Sequence, residues 1–149
     1  MFTAPATPSA TIQPLQPYPS TLTVSGFTGV ITDVNVLLND LTYTFPEDLD
    51  VLVVHPDGTS VLLMSDAGGN GDGVAERTSD VDLILDQQAS NLLPADTQLS
   101  SGTFRPVDDD VDLDSTFPVD ASPAPAPAIG GTSLDVFNGK DPNGTWSLY

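Results

Sequence analysis

The residues best suited to chemistry in this chain are oxygen donors gathered in turns. Asp48 stands just before an apolar run, residues 66–73 read DAGGNGDG, and Asp86 closes a second apolar run. Calcium takes roughly six to eight oxygen ligands from carboxylates, amide and backbone carbonyls, and water. In the loop, Asp66 and Asp72 offer carboxylates and Asn70 an amide oxygen, while the glycines let backbone carbonyls turn inward. Asp48, Asp66, Asn70, Asp72 and Asp86 are therefore the expected ligands of a Ca2+ ion. The alternative is that these Asp and Asn side chains only cap their own turns. A weaker candidate is residues 108–114, DDDVDLD, in which Asp108, Asp110, Asp112 and Asp114 alternate. It lacks the glycine and terminal glutamate of an EF-hand loop. It reads as a solvated acidic loop or as a second calcium site.

Other chemistry finds little support. His55 is the single histidine and there is no cysteine. Thiolate chemistry and disulfides are excluded, and a zinc site would lack its usual His and Cys ligands. No Gly-x-Ser-x-Gly elbow accompanies His55, so a hydrolytic triad cannot be assembled, and no catalytic residue is assigned. With 21 acidic residues, a pair at glycosidase spacing carries no weight. Trp146, the only tryptophan, reads as core, and Asn143-Gly144-Thr145 as a turn rather than a glycan acceptor.

Charge sets the class of partner. Three Lys and Arg face 21 Asp and Glu, a net charge of −18. Such a chain repels nucleic acid and anionic membranes, and its self-repulsion opposes compaction. A bound dication offsets that repulsion. No run is apolar or long enough to cross a membrane as a helix, and residues 1–20 lack a secretory signal pattern.

The elements that must position these residues are short strands. Residues 1–19, rich in Pro, Thr and Ala, read as an extended arm or linker, with docking onto a neighbouring copy as the alternative. Residues 20–149 form one domain. Strands are expected at 21–24, 30–38, 49–55, 60–64, 81–86 and 145–149, with Pro56-Asp57-Gly58-Thr59 as a hairpin turn. A short helix at 87–93 is also expected, and a helical turn or irregular segment at 132–137. Residues 121–128, ASPAPAPA, suit only an extended surface crossing. Short strands punctuated by turns imply an all-β sandwich.

Four segments stand in order: Ile31–Val36; Thr42–Thr59, with its Phe-Pro-Glu-Asp-Leu-Asp step and Pro-Asp-Gly-Thr turn; Leu62–Gly69; and Leu134–Gly139 leading into Gly144-Thr145-Trp146. Together they resemble the P domain that accompanies kexin-like and furin-like proprotein convertases and occurs in bacterial secreted proteins. The resemblance implies a jelly-roll-like β-sandwich of two antiparallel sheets, extracellular or at the cell surface, non-catalytic and calcium-binding. It matches Asp48, and Asp86 of Leu85-Asp86-Gln87, to positions of the family pattern. Such domains usually add a final strand, and none follows Tyr149. The expectation is a sequence that continues, or an edge filled by the arm or by another copy. The implied role is an accessory domain linked to a protease or other secreted protein. A self-assembling surface subunit and a carbohydrate-binding module are the alternatives.

Overall fold

The computed structural model describes residues 2–4, 19–69, 77–109 and 130–149. They form nine strands: β1 (Phe2–Ala4), β2 (Ser20–Val24), β3 (Val34–Tyr43), β4 (Val51–Val54), β5 (Ser60–Ser65), β6 (Thr78–Asp86), β7 (Gly102–Phe104), β8 (Val107–Asp108) and β9 (Gly144–Leu148). One sheet has the order β1-β3-β6-β7 and the other β2-β9-β4-β5-β8. The chain is an all-β sandwich. Its central pairings are antiparallel, while β1, β7 and β8, at three of the sheet edges, pair in parallel.

Alternation builds the core. Val36 and Leu38 of β3 and Leu83 and Leu85 of β6 meet Val51, Val53, Val61, Leu63 and Trp146 of the other sheet in one apolar cluster. β4 and β5 are buried along their whole length, and Leu52, Val54 and Leu62 form a second cluster with Tyr149. Near-continuous apolar runs suit strands covered on both faces. The short 3₁₀ turn Leu134–Phe137 drives Leu134 and Phe137 into the core.

Several expected boundaries move for local reasons. β3 starts at Val34, not Val30, because Ile31 exchanges backbone hydrogen bonds with Gly139 and Lys140 instead of a neighbouring strand. β3 then runs on to Tyr43. An irregularity after Leu38 lets Leu41, three residues on, return to the core at 2% exposure. Asp40 there and Asp80 across the ladder take positive φ, 56° and 57°.

The helix expected at 87–93 does not form. Asp86 captures the Gln88 N–H at 2.7 Å and its carbonyl takes the Ala89 N–H, an Asx-type turn that competes with helix. The Leu93 N–H then donates to the Arg105 carbonyl, and the Arg105 N–H to the Asn91 carbonyl, in a parallel bridge. The Pro56–Thr59 turn closes as expected: the His55 and Thr59 backbones pair, and Gly58 supplies φ 89°. In the arm, Phe2–Ala4 lies parallel against Val34–Val36. Residues 121–128 lie outside the described residues.

Candidate functional site

The topology gathers acidic residues at one end of the sandwich. Val51, at the start of β4, pairs with Met64, so Asp48 reaches the end of β5 that leads into Asp66. On the far side of β5, the parallel partner β8 sets Asp108 opposite Ser65, and the Asp109 N–H reaches the Ser65 carbonyl. The 3₁₀ turn Pro46–Asp48 is held against the glycine loop. A Cβ on Gly68 would stand 2.8 Å from Pro46 Cβ, so only glycine permits that approach, and its φ of 105° needs glycine as well. The Gly68 and Gly69 N–H groups bond to the Pro94 and Ala95 carbonyls.

Asp48 and Asp66 are exposed, and Asp66 takes φ 51° and accepts a hydrogen bond from Ser65 Oγ at 2.9 Å. Two stretches far apart in sequence, 66–73 and 108–114, thus begin side by side. Among the described residues, no three His, Cys, Asp or Glu side chains are close enough to share a metal ion. Asn70, Asp72, Asp110, Asp112 and Asp114 lie outside the described residues.

Asp86 does not join this end. β3 and β6 are antiparallel, with Tyr43 beside Thr78 and Asn35 beside Asp86. β6 has nine residues, which places Asp86 about 26 Å away along the strand. The grouping of Asp86 with Asp48 and Asp66 is therefore corrected by strand direction. Sequence adjacency to a turn does not reveal which end of the sheet that turn occupies.

At its own end Asp86 has neighbours that the sequence assigned to no site: Asp33 and Asn35 fall in an expected strand and Gln88 in an expected helix. Asn35 Nδ2 donates to Asp33 Oδ2 at 3.2 Å. The Gln88 side-chain amide reaches both Asp33 and Asp86. Asp33 and Asn35 share a face by simple alternation, and that was the signal available in the sequence.

The same end carries His55, which packs rather than presenting itself. It is 5% exposed, stacks 5.9 Å from Phe137 and meets Trp146 edge-on at 4.7 Å. Its Nε2 lies 2.9 Å from the Asp141 carbonyl, and Nδ1 lies near the Asp57 N–H and carboxylate. Lys140 Nζ reaches Asp57 at 2.6 Å. That contact first, and the Thr59 hydrogen bonds next, hold the Asp57 carboxyl well below the usual carboxylate range. Asp141 is also lowered, chiefly by the Asn143 N–H. Trp146 is buried at 7% exposure and donates Nε1–H to the Pro142 carbonyl at 3.1 Å. The Asn143 amide is spent on Phe27 and Asp141.

Electrostatic strain also marks the β3–β6 irregularity. A hydrogen bond with Asp80, then desolvation, raises the Asp40 carboxyl above its ordinary value. The acids of this chain crowd one another even within a ladder.

Searches of protein-family models, curated proteins and solved structures found no match to this chain.

Proposed function

We propose that this chain is a non-catalytic, extracellular or cell-surface β-sandwich module stabilised by calcium, an accessory domain of a larger secreted protein in the manner of a P domain. The observation that carries the reading is the β5–β8 pairing. It sets Asp108 beside Ser65 and so brings the two acidic stretches of the sequence to one end. The net charge of −18 supplies the need for a cation there. Asp48, Asp66, Asn70 and Asp72 are its proposed ligands, with Asp108, Asp110, Asp112 and Asp114 as the weaker set.

The test is calorimetric titration of calcium into chelator-treated protein, beside the Asp66→Asn/Asp108→Asn double variant. The reading expects heat of binding in the parent and its weakening in the variant. Equal isotherms for the two proteins contradict it.

A second reading has one observation in its favour. Among the described residues of the arm, Phe2–Ala4 pairs in parallel with Val34–Val36 at the β3 edge. A terminal strand added at a sheet edge suits exchange between copies, which would make the chain a self-assembling surface subunit. A concentration-independent monomer by light scattering contradicts it.

A further inference from the structure

We propose a separate calcium site on the outer face of the first sheet, formed by Asp33, Asn35, Asp86 and Gln88. It lies at the opposite end of β6 from the acidic loops and does not depend on them.

The placement follows from the ladder. Val36 pairs with Leu85, and both point into the core. Their neighbours Asn35 and Asp86, directly opposite each other, therefore share the outer face. The Asn35–Asp33 hydrogen bond brings Asp33 to the same spot. Asp33 and Asp86 are partly buried, and neither has an ion pair among the described residues.

Two observations then point to a cation. The first is Gln88. One terminal position of its amide lies 2.8 Å from Asp33 Oδ1 and 2.7 Å from Asp86 Oδ1. Oxygen there would face two carboxylate oxygens with no hydrogen between them, so without an ion this position belongs to nitrogen. The amide N–H group thus occupies a point within 3 Å of two carboxylates, where a positive charge is most stabilised. With calcium bound, the same amide rotates and presents its oxygen.

The second observation is Asn35. It is 9% exposed, and among the described residues its buried Oδ1 has no hydrogen-bond partner. A buried acceptor left unpaired is costly, and on a residue hydrogen-bonded to Asp33 and paired with Asp86 it is a ligand in waiting. Its amide nitrogen already faces Asp33, and its backbone stands opposite Asp86 in the ladder.

Together the side chains give oxygens from two carboxylates and two amides, leaving the remaining positions to water. This mixed, partly hydrated oxygen set suits calcium better than magnesium, whose small shell demands stricter geometry. Two carboxylates balance the dication. Asp86 keeps its backbone bond from Gln88, which ties ion binding to the turn after β6.

The experiment is a calcium titration by calorimetry of chelator-treated parent, Gln88→Glu, Asp33→Asn and the Asp66→Asn/Asp108→Asn variant. Gln88→Glu supplies a third carboxylate. It is expected to tighten one class of binding by roughly tenfold and to melt lower than the parent in EDTA but not in calcium. Asp33→Asn is expected to lose that class, and the double variant to keep it. An unchanged or weakened affinity in Gln88→Glu overturns the site, whatever the other variants do. Loss confined to the double variant does so too. Equal isotherms for the double variant and the parent count only against the acidic-loop site.

Discussion

At the scale of single residues, Asp57 is held in an exposed polar clamp. Its carboxyl pK is depressed by Lys140 and by the Thr59 hydrogen bonds. A depressed carboxylate contributes stability that is present above the ordinary carboxylate value and is lost as pH falls through the folded value. Asp57→Asn is therefore expected to melt below the parent at pH 7, with the gap closing below about pH 4. Thermal melts across that range check it, and a gap of constant size contradicts the assignment. The clamp joins the β4–β5 turn to the segment before β9, and His55 reinforces it from within by its bond to Asp141.

At the scale of elements, β9 is the strand on which the second sheet depends, because it lies between β2 and β4. Trp146 anchors it through contacts with His55 and Phe137 and through its bond to Pro142. Trp146→Ala is expected to cost about 3–5 kcal/mol, measured by urea unfolding. A loss under about 1 kcal/mol would show that the strand is held by its backbone ladder alone.

Much of this level was legible in the sequence. The Pro-Asp-Gly-Thr turn, the apolar runs of β4 and β5 and the Trp146 strand carry their signals locally. β7 and β8 do not. They are three and two residues long, β7 opening on Gly102 and β8 following Pro106, and they exist only because β6 and β5 offer them an edge. The same non-local pairing decides the sites. It brought Asp108 to Asp66, which spacing alone does not show, and it carried Asp86 away to Asp33 and Asn35. Residue chemistry identified acids of interest, but strand direction chose their company.

At the scale of the whole molecule, the balance is between a well-buried core and a charge of −18. Carboxylates crowd at both ends of the sandwich and at the β3–β6 irregularity, where Asp80 raises the Asp40 carboxyl. Screening by simple salt relieves exposed repulsion. A coordinated dication does more, because it binds only the folded arrangement of oxygens. On the proposed reading, calcium at a hundred times its Kd would add about 2.7 kcal/mol, which for a domain of this size would raise Tm by roughly 5–10 °C.

The most direct test compares melting of the chelated protein in EDTA with melting in millimolar calcium, at equal ionic strength. The account predicts a calcium-dependent rise of that order, one that magnesium does not reproduce. Superimposable melting curves in EDTA and in calcium would contradict it.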